Sequence, residues 1–308
     1  MKNKPLSRRK ALKQIGIGAA ALALPKLTFS ATNKIMKRAI PSSGEQIGVV
    51  GLGTWQTFDI GSSEVKRAPL KAVLRALVAG GGNVIDSSPM YGSSESVVGD
   101  LTTEVGLKDE LFYATKVWTG GKQSGIDQMK TSMRRMQANP MDLMQIHNLQ
   151  DWKTHIKTLY NWKEQGLIRY IGITHYQDGA HNGLERIIKA ENIDFVQVNY
   201  SMNNRNAEKS LLPTAQDEGV AVMINRPYTG GSLFRKVQGK ELPAWASAYD
   251  IKSWGQFFLK YLISNPAVTC VIPGTSKEKH MKDNIGAGLG ILPDTQVRSR
   301  MVSYLRDL

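Results

Sequence analysis

The sequence predicts an α/β fold in which eight parallel strands close into a (β/α)8 TIM barrel. From residue 48 onward, short apolar runs rich in Val and Ile alternate with longer stretches of helical period, and eight such units can be counted. Several helical stretches end in Gly just before the next strand, as at Gly166 and Gly219. No unit breaks the pattern as an edge strand would, so we expect closure into a barrel.

The predicted strands are short, and the intervals between them are long enough for helices. Strands are predicted over residues 47–52, 83–87, 111–116, 142–147, 170–174, 195–199, 221–225 and 269–272. Helices are predicted over residues 69–79, 126–137, 152–165, 184–191, 207–218, 245–264 and 277–287. Residues 226–243 form the longest connection without a clear period, and we expect a mobile flap over a ligand there.

The first thirty residues have the composition of an export signal. Residues 1–30 contain seven Lys or Arg and no acidic residue, and residues 15–24 are apolar and rich in Ala and Gly. The segment from Ser7 to Lys13 includes Arg8-Arg9 and resembles a twin-arginine (Tat) signal, with Ala11 where Phe is usual. We expect a Tat-type signal peptide over 1–30 and one barrel domain over 31–308. The alternative is a basic amphipathic helix on a cytoplasmic protein.

Such a leader predicts a periplasmic protein that the Tat export machinery carries across the membrane after folding. If the signal is not cleaved, the protein would be anchored to the membrane. Export of a folded chain would allow it to bind its cofactor in the cytoplasm.

The charge of the chain does not indicate a nucleic-acid partner. The formal net charge is +14, but without the seven cations of the leader 33 basic residues face 26 acidic ones. We find no stripe of Lys and Arg interleaved with aromatic residues. The remaining excess would suit an anionic ligand such as a cofactor phosphate, or it is a solvated basic surface.

The single cysteine excludes an intramolecular disulfide and a cysteine-based metal site. Cys270 lies in the apolar run of residues 268–272, where a buried structural thiol is expected. Paired carboxylates or several imidazoles at strand ends, which a barrel hydrolase or isomerase would need, are also missing from the pattern. We therefore expect no metal.

Polar residues with complementary chemistry stand at the ends of three consecutive predicted strands. Asp86 and Tyr91 follow the second strand, Lys116 ends the third and His147 ends the fourth. An ammonium beside a phenol favours the phenolate and lowers the phenol's pKa from its usual value near ~10. Asp86 would hold the ammonium of Lys116 in place, and His147 would orient a carbonyl oxygen. Together they predict a proton donor for carbonyl reduction, with Tyr91 as the acid.

The motifs around these residues resemble those of the aldo-keto reductase family. Asp86 is followed by Tyr91-Gly92, Lys116 ends Ala-Thr-Lys, and His147 ends Gln-Ile-His, as in the catalytic tetrad of that family. The similarity continues on both sides of the tetrad and covers residues 46–290. The resemblance implies a (β/α)8 barrel that reduces an aldehyde, ketone or sugar carbonyl with a nicotinamide cofactor bound across the barrel mouth.

The resemblance also implies which residues contact the cofactor, with NADP(H) expected rather than NAD(H), and which line the carbonyl pocket. No Gly-x-Gly-x-x-Gly fingerprint follows a strand, in agreement with a cofactor site that needs no Rossmann domain. Aromatic residues and the tetrad would line the carbonyl pocket: Trp55, Tyr91, Trp118 and His147. The cofactor contacts carried over from the family are Thr54, Trp55, Asp86, Thr174, His175, Gln197, Asn225, Arg226, Gly231, Ser232, Gly274, Thr275, Ser276, His280, Asp283 and Asn284.

Three positions depart from the family pattern. His175 stands where many members have Asn against the nicotinamide carboxamide, although imidazole can also form hydrogen bonds. Asn225-Arg226 replaces a segment where an aromatic side chain often stacks on the nicotinamide ring, and a guanidinium can stack there too. His280 stands where many NADPH users have Arg, and Lys277 or Lys279 could supply that charge.

An alternative function is a regulatory or partner-binding barrel that keeps the cofactor but turns over little. Loss of a tetrad residue would favour it, and all four are present. An exported reductase also lacks an obvious supply of reduced cofactor. A redox partner could reduce its cofactor again, or oxidation and reduction could alternate on one bound molecule.

Overall fold

The computed structural model describes residues 34–308, and eight of its strands form one parallel sheet in chain order. The predicted leader, residues 1–30, lies outside the described residues. The strands are β1 (Lys37–Ala39), β2 (Gln46–Gly48), β3 (Leu52–Gly53), β4 (Val84–Asp86), β5 (Phe112–Val117), β6 (Met141–His147), β7 (Ile168–His175), β8 (Phe195–Asn199), β9 (Ala221–Asn225) and β10 (Val268–Val271).

Two isolated bridges close the sheet into a barrel. Val50 pairs with Val271 and Gly53 pairs with Gly274, both in the parallel sense, so the segment around β3 joins the edge of β10. Gly53 has to be small here, since an added Cβ would lie 2.8 Å from the carbonyl oxygen of Ile272. The predicted (β/α)8 barrel is therefore confirmed, with β3 to β10 as its eight strands.

A hairpin that the sequence did not predict covers the amino-terminal end of the barrel. β1 and β2 pair antiparallel around a tight turn at Gly44, whose φ is +78°. The first predicted strand, residues 47–52, is therefore wrong in its first half, because Ile47 belongs to the hairpin and only Leu52 to β3. The apolar run crosses from one strand to the other without a break, so its periodicity could not separate them. The other seven predicted strands agree with β4 to β10 within a few residues.

Helices surround the barrel and alternate with its strands. They are α1 (Glu64–Ala79), α2 (Ser94–Glu104), α3 (Lys122–Met136), α4 (Trp152–Glu164), α5 (His181–Ala190), α6 (Leu211–Asp217), α7 (Ser232–Lys236), α8 (Trp254–Ile263), α9 (Glu278–Gly286) and α10 (Thr295–Asp307). No helix within residues 34–308 combines the length and the apolar character needed to span a membrane.

Several helix boundaries differ from the prediction for local reasons. The predicted helix over 245–264 divides into a 3-10 helix, Ala244–Tyr249, and α8, because Asp250 adopts a left-handed backbone and Ser253 caps α8. The Ser253 hydroxyl accepts a hydrogen bond from the Gln256 amide at 3.0 Å. The expectation of an irregular flap over 226–243 is also wrong in part, since this segment contains α7. Helices α2 and α10 were not predicted.

The apolar core has two layers, as expected for this architecture. One layer packs between the barrel and the helices, and the other fills the barrel and includes Phe112, Tyr170 and Phe195. Ile40 and Ile47 of the hairpin belong to the inner layer and cover it at the amino-terminal end of the barrel. Cys270 is buried there, as expected from the apolar run around it, and burial raises the pKa of its thiol.

Arg38 connects the hairpin to the barrel, and its loss should reduce stability. Its guanidinium donates hydrogen bonds to the carbonyl oxygens of Ile263 at 2.6 Å and Asn265 at 3.0 Å, and to that of Val268. Arg38→Met keeps an apolar stem but leaves these carbonyls without a donor, so we expect the free energy of unfolding to fall by about 2–4 kcal/mol. Urea denaturation measures it, with Lys37→Met on the exposed side of β1 as the control. Equal effects of the two changes would show that Arg38 does not hold the hairpin.

Candidate active site

The carboxyl ends of β4, β5 and β6 bring the four predicted catalytic residues together. Lys116 Nζ lies 2.7 Å from Asp86 Oδ2 and 5.1 Å from the centroid of the Tyr91 ring. The rings of Tyr91 and His147 meet edge to face, with centroids 6.0 Å apart. Parallel strands end on the same side of a barrel, which explains why residues spread over sixty positions of the chain meet here.

The ion pair of Lys116 and Asp86 lies entirely inside the protein. The side chains are 0% and 3% exposed. Lys116 Nζ also donates to the Ser87 carbonyl at 2.6 Å, and Asp86 Oδ1 accepts from the side-chain amides of Gln145 and Gln197, each at 2.9 Å. Every charge is thus matched by hydrogen bonds, as a buried pair requires.

These contacts keep Lys116 charged. Burial alone would lower the pKa of the ammonium, but the attraction of Asp86, helped by Tyr91, outweighs burial and raises it. An ammonium that cannot lose its proton at neutral pH provides a fixed positive charge beside the Tyr91 ring.

Tyr91 differs from the prediction in the net direction of its pKa shift. Burial raises the pKa of the phenol, the Lys116 ammonium lowers it, and Asp86 raises it again, so that the pKa lies above its usual value. The predicted effect of Lys116 is present but smaller than the effect of burial. The consequence is that Tyr91 holds its proton throughout the neutral range, as a proton donor must.

His147 is a neutral imidazole with one nitrogen already engaged. Its Nδ1 lies 3.0 Å from the hydroxyl of Ser88, which is buried. Burial, Lys116 and His175 lower the pKa of His147 to about 3. If Ser88 donates to Nδ1, the proton of the neutral ring sits on Nε2, where it can donate to a substrate oxygen.

Trp118, one of the two tryptophans predicted to line the carbonyl pocket, flanks this centre. Trp118 is 41% exposed with its ring 6.4 Å from that of His147, and Trp55 is 52% exposed. The Gln128 side chain fixes the backbone of Trp118, because its Oε1 accepts from the Trp118 amide at 2.6 Å and its Nε2 donates to the Trp118 carbonyl at 3.1 Å.

The residues expected at the nicotinamide carboxamide lie side by side on β7, β8 and β9. The Thr174 hydroxyl donates to Gln197 Oε1 at 3.3 Å, and Asn225 Nδ2 lies 3.4 Å from the same oxygen. Asn225 Nδ2 also donates a hydrogen bond of 3.5 Å to the carbonyl oxygen of His175. Asn225 Oδ1 is buried and has no partner within the described part of the chain. An amide ligand would satisfy that oxygen, so the residues present fit a carboxamide.

A second orphaned group lies where the cofactor phosphates are expected. The Ser232 hydroxyl at the start of α7 is buried without a partner among residues 34–308. Gly230 and Gly231 precede it with φ of +61° and +86°. A Cβ added at Gly230 would lie 3.9 Å from an Arg226 nitrogen, and one at Gly231 would lie 4.0 Å from an Arg235 nitrogen. Two guanidinium groups around a glycine turn and a free hydroxyl fit a diphosphate.

Some of the residues predicted at the adenosine end are exposed to solvent, and the others are buried or hydrogen-bonded within the protein. Ser276 and His280 are exposed near Lys277, and burial together with Lys277 and Lys279 lowers the pKa of His280. Gly274 pairs with Gly53, while Thr275 is buried and its hydroxyl accepts from the Lys277 amide at 3.1 Å.

Asp283 and Asn284 make contacts within the protein instead. Asp283 accepts hydrogen bonds from Ser253 Oγ at 2.7 Å and Gln256 Nε2 at 2.9 Å, and Asn284 Oδ1 accepts from the Tyr228 hydroxyl at 2.6 Å. Thr54 is likewise committed, since its hydroxyl donates to the Asp86 carbonyl at 2.9 Å and contacts the Ser87 hydroxyl at 3.0 Å.

Sequence reasoning missed three residues that organise the site. The Ser88 hydroxyl contacts His147 Nδ1, and the Gln145 side-chain amide donates a hydrogen bond to Asp86. Arg235 adds a positive charge beside Gly231. Gln145 was noticed only as part of a motif. A buried carboxylate needs donors beyond one lysine, and that requirement could have directed attention to the polar residue two positions before His147. Within residues 34–308, no group of three or more His, Cys, Asp or Glu could hold a metal ion.

A family model named "Aldo/keto reductase family" matches residues 49–300. The chain belongs to the aldo/keto reductase family. Methylglyoxal reductase YeaE of Escherichia coli is 27% identical to this aldo/keto reductase over 259 residues, which cover 81% of this chain and 89% of the relative.

Solved structures agree with this membership. An aldo/keto reductase from Klebsiella pneumoniae, crystallised with NADP and acetate, superposes with a TM-score of 0.74 at 26% identity and covers 88% of this chain and 96% of that one. The aldo-keto reductase AKR11C1 of Bacillus halodurans, at 23% identity, has the same fold with a TM-score of 0.70 over 88% of this chain and 96% of that one.

The low pKa of His147 should make folding stability depend on pH. In the unfolded chain this imidazole titrates near ~6.5, so below that pH the unfolded state binds one more proton than the folded state. Its contribution is complete above pH 6.5 and is lost as the pH falls toward the folded pKa of about 3, by about 1.4 kcal/mol per pH unit. His147→Gln should flatten the loss of unfolding free energy between pH 6 and 4, measured by urea denaturation. Tyr91→Phe, which removes no group that titrates there, should not; an unchanged slope in His147→Gln would contradict the assignment.

Proposed function

We propose that this aldo/keto reductase reduces an aldehyde, ketone or sugar carbonyl with NADP(H), using Tyr91 as the proton donor. The observation that carries the proposal is the position of Lys116, whose buried ammonium lies between Asp86 and the Tyr91 ring. This arrangement holds a protonated phenol beside a fixed positive charge, which stabilises the phenolate that forms as the proton leaves.

The chemistry divides between the cofactor and the protein. When bound, the reduced nicotinamide supplies a hydride to the carbonyl carbon. Tyr91 gives its proton to the carbonyl oxygen, so that an alcohol forms, and the phenolate takes a proton from solvent for the next turnover. His147, with Nδ1 facing Ser88, orients the same oxygen through Nε2 and stabilises its developing charge.

The charges near α9 favour the 2'-phosphorylated cofactor. Lys277 and His280 are exposed at the start of this helix, with Lys279 between them. A similar structure from K. pneumoniae contains NADP. An anionic phosphate would be attracted to this helix start.

Methylglyoxal is a suitable first substrate, because the relative YeaE is named a methylglyoxal reductase. Turnover is followed as NADPH oxidation at 340 nm, and cofactor binding as quenching of tryptophan fluorescence. NADPH binding without turnover of any aldehyde or ketone would favour the regulatory barrel instead. Absence of both would overturn the proposal.

Tyr91→Phe tests the role of the phenol. It should lower the rate of carbonyl reduction by at least ~100-fold, the typical effect of losing a general acid, and leave the dissociation constant of NADPH within about threefold. Tyr113→Phe is the matched control, since the Tyr113 hydroxyl is buried without a partner among the described residues. Wild-type turnover in Tyr91→Phe would remove Tyr91 from the mechanism.

We further propose that the chain is exported by the Tat machinery and works in the periplasm. The support is the sequence of residues 1–30, with Arg8-Arg9 ahead of an apolar run and no acidic residue. A chain that folds before export can carry its cofactor out of the cytoplasm. A periplasmic redox partner, or a substrate that is alternately oxidised and reduced, would then renew the hydride. If the signal stays attached, the protein is anchored to the membrane.

Replacement of Arg8-Arg9 by Lys-Lys tests export. The variant should accumulate in the cytoplasm, because the twin-arginine pair is the feature that the export machinery reads. Cell fractionation followed by immunoblotting measures this, and Lys2→Arg with Lys4→Arg is the control with an altered leader but an intact pair. A variant that reaches the periplasm like the wild type would contradict the proposal, as would a wild-type chain that stays cytoplasmic.

A further inference from the structure

A buried carboxyl group connects the turn that carries Tyr91 to the strand that carries Lys116. Glu95 is the second residue of α2 and follows Tyr91 by four positions, while Thr115 directly precedes Lys116 on β5. The Thr115 hydroxyl donates a hydrogen bond of 2.6 Å to Glu95 Oε1, and both residues are 0% exposed. We propose that Glu95 is a positioning residue, which through Thr115 fixes the distance between the Tyr91 phenol and the Lys116 ammonium. The inference rests on the carbonyl reduction proposed above, with Tyr91 as the acid.

A tight turn places Glu95 close to Tyr91 in the chain. The Ser94 amide donates to the Tyr91 carbonyl at 3.1 Å, and Gly92 between them has a φ of +58°. Few backbone torsions therefore lie between the phenol and Glu95, so a shift of one moves the other. Tyr91 and Lys116, in contrast, are twenty-five positions apart, with all of α2 between them. Contacts across space, and not the chain itself, set the separation of their side chains.

Asp59 holds the same turn from its solvent side. Asp59 Oδ1 accepts hydrogen bonds from the Ser93 amide and the Ser93 hydroxyl, both at 2.8 Å. A Cβ added at Gly92 would overlap the Asp59 carboxylate, so the close approach requires glycine. Asp59 belongs to the segment that follows β3, and its contacts do not reach β5. Glu95 supplies the contact between this turn and the strand of Lys116.

The hydrogen bond to Thr115 is the strongest contact of the Glu95 side chain. Arg135 Nη1 lies 3.7 Å from Glu95 Oε2, beyond hydrogen-bond distance, and the Arg135 side chain is 44% exposed, so water weakens this ion pair. Oε2 and the nearby Ser132 hydroxyl are buried without a hydrogen bond within residues 34–308. Burial raises the pKa of Glu95, and Thr115, Ser132 and Arg135 lower it by less. A neutral acceptor of the same shape should therefore serve as well as a carboxylate.

The position of the phenol matters because proton transfer depends on distance. A general acid must lie within hydrogen-bond reach of the oxygen that it protonates, and a displacement of about 1 Å can lower a rate by about 100-fold. Loss of the contact between Glu95 and Thr115 should therefore slow the chemical step. It should leave the affinity for NADPH unchanged, because the predicted carboxamide contacts lie on β7, β8 and β9.

Substitutions that keep the shape of the side chains separate positioning from stability. Glu95→Met and Thr115→Val each leave a buried polar group without its partner, so each should lower the free energy of unfolding in urea. Each should also lower the single-turnover rate of methylglyoxal reduction at least about tenfold, with the dissociation constant of NADPH within about twofold. The double variant replaces both partners by apolar groups, so its stability should return toward the wild-type value while the rate stays low.

Two further variants serve as controls. Glu95→Gln keeps an acceptor for Thr115 and should retain the rate within about twofold. Thr102→Val is the matched control in α2, because the buried Thr102 hydroxyl donates to the Val98 carbonyl of its own helix at 2.8 Å. Its rate should also stay within about twofold of the wild type. A double variant that regains both stability and rate, or a Glu95→Gln variant as slow as Glu95→Met, would overturn the inference.

Measurement in a Tyr91→Phe background separates failure of the inference from failure of the proposed function. If Glu95 acts through the phenol, Glu95→Met should slow the Tyr91→Phe protein by less than about twofold, since no phenol remains to be positioned. A further tenfold loss would show that Glu95 affects the reaction by another route, and would overturn its positioning role. Wild-type turnover in Tyr91→Phe would overturn the proposed function. A slow Tyr91→Phe together with fully active Glu95→Met and Thr115→Val would overturn the inference alone.

Discussion

The buried ion pair between Lys116 and Asp86 constrains the rest of the site. Removing an ammonium and a carboxylate from water costs several kcal/mol of free energy for each group. Only close contact between them and additional hydrogen bonds offset that cost. The carbonyl of Ser87 and the amides of Gln145 and Gln197 supply those bonds, so four strands contribute to one charge pair. Gly172 on β7 leaves the space, since a Cβ there would lie 2.9 Å from the Gln145 side chain.

The same ion pair lies between the proton donor, Tyr91, and Gln197, one of the residues predicted to bind the cofactor. Gln197 is expected at the nicotinamide carboxamide, and in this structure its amide binds Asp86 Oδ1 and lies 3.1 Å from Gln145 Oε1. On the other side, Lys116 Nζ lies 5.1 Å from the centroid of the Tyr91 ring. The proton donor and the predicted cofactor contact therefore both lie beside one buried ion pair.

Local sequence carried enough information for the barrel and the tetrad, because both depend on short segments. Each strand is a run of apolar residues, and Lys116 and His147 stand at strand ends, where barrel geometry brings side chains together. The sequence did not predict features that depend on contacts between distant segments or on the extent of burial. Whether Ile47 continues the first strand or turns back in a hairpin depends on residues 37–39, and the pKa of Tyr91 depends on how completely the folded chain buries it.

The departures at β7 to β9 have a structural counterpart. His175 stacks on Tyr176, and the Arg226 guanidinium lies over the same ring, so two of the positions that differ from the family pattern meet at Tyr176. The sequence does not show this contact, because His175 and Tyr176 are about fifty residues away from Arg226 in the chain. These two departures, which are separate in the sequence, are therefore neighbours in three dimensions.

The two bridges that close the barrel have a consequence for how the chain is made. Gly53 and Gly274 are partners although more than two hundred residues separate them. A ribosome-bound chain therefore exposes two open sheet edges until the last strand has emerged, and exposed edges invite pairing with other chains. Pairing of the eighth strand with the first removes both edges, so the segment that protects the sheet from such pairing lies in the last fifth of the sequence.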